Sequence, residues 1–439
     1  MSLHLLARAC ALALLCANLA STSWADEQEL FVATTGNDAQ PGTPDQPLAS
    51  LQGAQRRIRE LRESSPNDPI RVTIADGDYY LAEPLEFTAA ESGTAQAPVL
   101  ITAAQNANVR LIGGREINGF QPVTESEILA RLTSDAQKQT LVANLPEYGI
   151  KDFGELLARG HDHALHPAGI EVYFRGAPTQ LARWPNEGWS TVTQSIHKDD
   201  QTRIQYHGDR PRSWKTAEGA WAHGFWEADW SDAWQPVRAA DAANHTFTIE
   251  RTENITDVRD GARFCLLNAL EELDQPGEWY LERSSGNLYF WPPAEVKRDD
   301  VVVSLLEHPL SLYDVSHFTI RDVTIEAARV CLVEVVRGEH VTIENCTLRN
   351  AGNLAVHVFG GTNHRVTNCD IHHTGEGGLR IEGGDRATLT PANHSIENNS
   401  IHDFARTCHA WRPAIAAHGV GIRIANNHIH QGPDGAIVL

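Results

Sequence analysis

One apolar pattern returns five times in the last third of the chain. VTIENCTLRN starts at Val341, RVTNCDIHHT at Arg365, SIENNSIHDF at Ser395 and RIANNHIHQG at Arg423. An earlier copy, TIRDVTIEA, starts at Thr319. The aligned apolar positions are Ile320, Ile343, Val366, Ile396 and Ile424, spaced 23, 23, 30 and 28 residues apart. A second column is Ile325, Leu348, Ile371, Ile401 and Ile429; shorter ones are Val333, Val356, Leu379 and Val335, Val358, Ile381. Within each unit apolar and polar residues alternate, which specifies short strands with one buried face. One unit cannot bury its apolar face alone, so neighbours must stack. A period near 23 residues without a helix differs from leucine-rich and WD-type repeats. It predicts an all-β chain wound as a right-handed parallel β-helix. Asp322, Asn345, Asn368, Asn398 and Asn426 fall at the turn after a strand, where Asn tolerates left-handed backbone and stacked amides can bond. The longer periods predict loops on one face.

Before the repeats, residues 26–115 read as an N-terminal cap with the first coils. A helix from about Ser50 to Arg62, with Ser50 as N-cap, presents Leu51, Ala54, Ile58 and Leu61 on one face. Such a helix closes the open end of a coil stack. Ile74 and Ile101, 27 residues apart, read as one coil step. From 116 to 295 the period is lost, and nine of the eleven Trp lie between Trp184 and Trp291. That shift marks an inserted β-rich domain. WAHGFWEADWSDAW (221–234) is a candidate sugar platform, although most of its indoles are expected in a core. Residues 296–439 return to coils.

Residues 1–25 read as a cleaved signal peptide: Arg8, the apolar run ACALALLCANLA, and small residues at Ser23 and Ala25 with cleavage after Ala25. The product is expected to be secreted or periplasmic, with no membrane span and as a monomer. Five cysteines remain after cleavage, Cys265, Cys331, Cys346, Cys369 and Cys408, too few and too scattered for a disulfide framework. Cys346 and Cys369 fall at equivalent places in adjacent coils, as small fillers of an internal stack. The net charge of -21 argues against nucleic acid and against a polyanionic substrate, unless a local basic strip overrides it.

The strings ARWPNEG (182–188), HGFWEADWSDAW (223–234) and LDQPGEWYLERSSGNLYFWPP (273–293) resemble the insertion domain of glycoside hydrolase family 141. Residues 402–439 resemble its pectin-lyase-like coils, and TTGNDAQPGTPDQPLASLQGA (34–54) is similar to the start of many secreted β-helix proteins. The resemblance implies activity on plant cell-wall glycans, of fucosidase or xylanase kind. It also implies catalytic carboxylates in coils after GPDGAIVL (432–439), beyond Leu439, in runs not found here. The chain, ending at Leu439 inside a strand, is therefore expected to be truncated, and no catalytic pair is carried over by position.

Eleven of the 21 His lie between His340 and His430. Glu326, Arg349, His372, His402 and His430 form one outward column, with Asn350, His373, Asp403 and Gln431 beside it and Glu334, His357 and Arg380 in another. Outward columns can line a groove for an extended glycan, so His372, His402, His430, Arg380 and Arg412 are the candidate substrate-binding residues. Three ligands on one stacked column rarely converge on one ion, so no metal site is expected. No cofactor is expected either, and calcium, though open, has no motif in its favour. Glycoside hydrolysis needs two carboxyl groups. Glu376, Asp403 and Asp434, with Asp370 and Glu382, are the carboxyls within reach of adjacent coils. A polysaccharide lyase acting on uronates, with Arg380, Arg406 or Arg412 as base or neutralising group, is the alternative. A non-catalytic glycan-binding or surface protein is the third reading.

Overall fold

The computed structural model describes residues 27–439 except 162, 209–213, 215, 253, 254 and 256. The signal-peptide segment lies outside the described residues. Three all-parallel sheets of eight, seven and seven strands run along the molecule, and successive strands of the chain visit them in turn. This is a parallel β-helix, wound right-handed as parallel crossovers are.

The apolar columns are vertical neighbours. In the first sheet Ile320, Ile343, Val366, Ile396 and Ile424 pair directly. In the second, Ile325, Leu348, Ile371, Ile401 and Ile429 do the same. In the third, Val333, Val356 and Leu379 stack beside Val335, Val358 and Ile381. Their side chains form one continuous core with the first coils. Strand-to-strand turning is managed by left-handed residues: Asp322, Asn345, Asn368, Asn398 and Asn426 all have φ between 52° and 62°. The Asn345 amide donates to Asp322 along this column.

A second amide ladder lies one residue further on, inside the stack. Asn399 and Asn427 continue the column of Cys346 and Cys369. Asn399 Oδ1 accepts from the Cys369 N–H at 2.9 Å, and its Nδ2 donates to the Val366 carbonyl at 3.0 Å and to Asn427 Oδ1 at 2.9 Å. All five described cysteines are reduced and buried. Asn399→Ala should strand the Cys369 N–H and Val366 C=O in a dry interior and lower stability by about 1–3 kcal/mol, read from the urea midpoint.

The cap helix α1 spans Leu51–Ser64, and the Ser50 side chain accepts from the Gly53 N–H as its N-cap. Leu51, Ala54 and Ile58 join the coil core. Two expectations need correction. Ile101 pairs with Val72, and Ile74 with Ala103, so the step is two residues longer than the matching of Ile74 to Ile101 implied. The extra residues of the long periods do not share one face. Those of the 30-residue period lie between Leu379–Gly383 of the third sheet and Ser395–Glu397 of the first. Those of the 28-residue period lie between Ser400–His402 of the second sheet and Ile415–Gly419 of the third. A coil can lengthen at any corner without disturbing its rungs.

The irregular region leaves the stack after Val109–Ile112 of the second sheet, and the stack resumes at Leu310–Tyr313 of the third. Between them lie three mainly antiparallel sheets. Val301–Ser304 belongs to one of these, paired antiparallel with Val172–Phe174 and Gly114–Glu116. Trp184, Trp226, Trp234 and Trp279 are buried here, while Trp230 is exposed. Insertion and 403–414 extension thus emerge from the same corner, between the second and third sheets, and they meet.

Candidate functional site

The outward column of the second sheet is Glu326, Arg349, His372, His402 and His430. Its upper end neutralises itself: buried Glu326 accepts from Arg110 Nε at 2.8 Å and Arg349 Nε at 2.6 Å. Below, the imidazoles of His372, His402 and His430 stack with centroids 4.9 and 4.8 Å apart. His402 is held between two carboxylates, 3.1 Å from Asp370 Oδ1 and 2.7 Å from Asp403 Oδ2. His372 and His373 share a hydrogen bond between their Nδ1 atoms, at 2.8 Å, so at least one of the two nitrogens carries no proton. Burial and the charge of His373 push the His372 pKa down to about 4. The adjoining Asn350, His373, Asp403 and Gln431 all have positive φ, which turns the chain away from the sheet.

The other sequence candidates are dispersed. Arg380 stands on the third sheet, paired with Glu382, which lies 3.7 Å from His357. Glu376 is buried in the corner, 2.9 Å from both Arg159 Nη1 and Arg412 Nε. Asp434 accepts the Arg412 N–H, and Arg412 Nη2 donates to the Gly160 and His163 carbonyls at 2.8 and 3.1 Å. Leu439, the residue beyond which the resemblance places the family's carboxylates, is exposed beside the third-sheet strand Ile437–Val438 and contributes nothing to these contacts. Of the carboxyls named from the sequence, Glu376 and Asp434 meet at this corner through Arg412. Arg406 contacts both oxygens of Glu171 at 3.1 Å. The Tyr173 hydroxyl lies 2.8 Å from Glu171 and 3.1 Å from the Asn350 carbonyl. Burial holds its phenol protonated.

These contacts join the insertion to the 403–414 extension. Asp232 completes the seam: it accepts from His223 Nε2 at 2.6 Å and from the His409 and Ala410 N–H groups at 2.8 and 2.9 Å. Burial alone would discharge His223, but the Asp232 hydrogen bond and charge outweigh it and hold its pKa at about 9. Burial, then the neighbouring His223 charge, push His409 down to about 4. Trp234 Nε1 donates to the Thr407 carbonyl at 3.0 Å.

The seam encloses a cavity of about 680 Å³. Trp189, Trp234 and Trp279 face it, with Arg159, Arg183 and Arg406, Glu171 and Glu278, and His223 and His409. Four of its buried polar atoms have no hydrogen-bond partner among the described residues: Arg183 Nε, Arg406 Nε, Gln180 Nε2 and Trp279 Nε1. All four are N–H donors, and a buried donor without an acceptor is costly. Burial raises the Glu278 pKa to about 8, against three backbone N–H groups, of Asp274, Gln275 and Arg183, that favour its charged form. Glu278 thus keeps its proton at neutral pH.

Sequence reasoning did not single out Glu171, Gln180, Arg183, Glu278 or Trp279 as a site. They come from segments about a hundred residues apart and meet through a parallel pairing that sets Gln180 beside Glu278 and Leu181 beside Trp279. The strings at 182–188, 223–234 and 273–293 did carry a signal: Arg183, His223, Trp234, Gln275, Glu278 and Trp279 of the cavity wall lie in them.

Residues 309–439 match the family model described as a right handed beta helix region. No curated protein matches the chain. Among solved structures the chain is similar to a glycoside hydrolase at 16% identity, covering 93% of this chain and 89% of that one with a TM-score of 0.65. It is also similar to XylC, solved in complex with xylose, at 13% identity and a TM-score of 0.50, covering 92% of this chain and 59% of that one. Both are likenesses of fold, that of a right-handed parallel β-helix. Among the described residues no helix is long and apolar enough to cross a membrane.

Proposed function

We propose that the chain is an exported glycan-cleaving enzyme of glycoside hydrolase type, acting on a neutral plant cell-wall polysaccharide held in the junction cavity. The observation that carries this reading is one wall combining indole faces with four buried N–H donors that lack acceptors. A sugar ring supplies what that wall lacks, hydroxyl oxygens for the donors and C–H faces for the indoles. The resemblance to glycoside hydrolase family 141 supports it, because the resembling strings fall on this wall.

Two acidic residues line the cavity, and their surroundings differ. Glu278, protonated at neutral pH, is assigned as general acid. Glu171, held by Arg406 and Tyr173, is assigned as its catalytic partner. Glu376 and Asp434 act through Arg412 as positioning residues. His402 with Asp370 and Asp403 forms a second proton-handling set on the open sheet face, where the glycan chain continues past His372 and His430.

The test is product analysis on arabinoxylan and xyloglucan. New reducing ends without an unsaturated product are expected, with Glu278→Gln and Glu171→Gln each slowing turnover by about 10²–10⁴-fold. Trp279→Phe, which removes one donor and little volume, should raise KM. A second reading has one observation in its favour: Arg159, Arg183 and Arg406 outnumber Glu171 and a neutral Glu278, a local basic strip suited to a uronate carboxylate. Ultraviolet-absorbing products from homogalacturonan, with no cleavage of neutral glycans, would replace the hydrolase by a lyase. Retention without any turnover would leave a binding protein.

A further inference from the structure

Two indoles that fill no core stand together at the seam. Trp230 is 63% exposed and Trp411 is 58% exposed. His161 lies between them, its ring 5.2 Å from that of Trp230 and 5.7 Å from that of Trp411. Trp230 occupies the tip of the hairpin joining Trp221–Ala228 to Ser231–Asp241, where Ala228 pairs with Ser231 and only two residues remain for the turn. Gly and Asn are usual there, and an exposed indole gains nothing for the turn. Trp411 has a φ of 57°, a left-handed conformation that is strained for a bulky residue.

That strained residue is clamped on both sides. The Ala410 N–H is bound by Asp232, and Arg412 is bound by Glu376 and Asp434. The His161 N–H is bound in turn by the Asp232 carbonyl at 2.8 Å. The surface is therefore built from three separate parts of the chain, and folding alone does not require it. Beside it lies a depression of about 520 Å³ lined by His161, His163, Ala164, Trp411 and Arg412. The same three segments serve the main cavity: Arg159, Thr407 with His409, and Trp234 line that one, while His161, Trp411 and Trp230 form this one.

We infer that Trp230, His161 and Trp411 form a distal sugar-binding platform that takes further residues of a polysaccharide whose cleaved part sits in the junction cavity. Pyranose rings stack on the two indoles, with His161 and the Arg412 backbone at the polar edge. This rests on the glycan reading above and deepens it: the substrate is a chain, not a single terminal sugar.

Affinity electrophoresis of the whole protein in gels containing arabinoxylan, xyloglucan or homogalacturonan tests the platform without needing turnover. Retardation by at least one polymer is expected. Trp230→Ala with Trp411→Ala together should weaken it about tenfold, and Trp411→Phe should retain most of it. Where the protein cleaves that polymer, the double variant should raise KM for the polymer with kcat unchanged, and leave KM for a disaccharide-sized substrate unaltered. Retardation without cleavage keeps the platform and removes the hydrolase. Equal retardation of wild type and double variant, or no retardation of wild type in any of the three gels, overturns the platform. So does a wild-type dimer in sedimentation that the double variant dissociates, since the indoles would then face a second copy. Thermal melts of each variant show whether it is folded.

Discussion

Glu376→Ala should lower stability by about 3–5 kcal/mol, the largest loss expected from any single change at the seam. Its carboxylate is the shared counter-ion of Arg159 and Arg412, and all three side chains are nearly out of reach of water. Removing it leaves two buried cations of like sign facing each other. Arg412 also ties Gly160 and His163 to the coil corner, so the effect is not confined to the cavity left behind. Glu376→Gln preserves shape but not charge and should lose nearly as much. Replacing Glu376, Arg159 and Arg412 together by apolar residues should recover part of it, because no uncompensated charge then remains. Calorimetry checks this. A melting temperature unchanged in Glu376→Ala would mean that the triad bears no such strain.

The second large effect is acid sensitivity well above the carboxylate range. Burial pushes His364 to about 4, and it does the same to His372 and His409. His317, His357, His373 and His394 are lowered too, again first by burial. Between about pH 6.5 and 4 the unfolded chain binds protons at these sites while the folded one does not. The unfolded state therefore gains as pH falls, and stability drops across that window. His364 and His409 contribute at most about 3 kcal/mol each, and half-buried His372 less. Glu278 works the other way: its folded pKa is raised, so its contribution grows as pH falls from about 8 toward 4.5. It is one group against three, and a net loss of a few kcal/mol should remain. Urea midpoints at pH 7 and pH 4.5 check it, and His364→Phe should flatten the profile. Above pH 7 the sign reverses for His223, whose stabilisation by Asp232 is complete below 6.5 and lost as pH rises through about 9.

The coils were legible because their inner face admits little but apolar side chains, repeated wherever the chain returns. Ile343 over Val366 over Ile396 is that rule in three residues. The same arithmetic says how many residues a long coil adds, but the placement needs a second column. Ile371 to Leu379 is eight residues while Ile401 to Ile415 is fourteen, and that comparison puts the extension after the second sheet. The Asn399 and Asn427 ladder was hidden because an inward amide reads like the outward one beside it. The cavity was illegible for a different reason. The inserted sheets have no fixed period: Gln180 meets Glu278 only through a long-range parallel pairing that no local pattern specifies, and Arg406 joins them from the 403–414 extension. The sequence did mark Arg406, as a possible lyase group, and Asp403 with His402.

The inserted region leaves and rejoins the stack at one corner, and its greasy interiors are its own. Among the described residues a small apolar cluster of Ile112, Tyr173, Val302 and Ala327 crosses between the two bodies; the other moorings at the seam include the charged ties of Asp232, Glu171 and Glu376 and the hydrogen bonds of Trp234 to Thr407 and Tyr173 to Asn350. A module fastened mainly by polar ties can be detached while baring little apolar surface. Bridging Ile112 to Leu310 with a short linker should therefore yield a bare coil rod that stays dispersed in water.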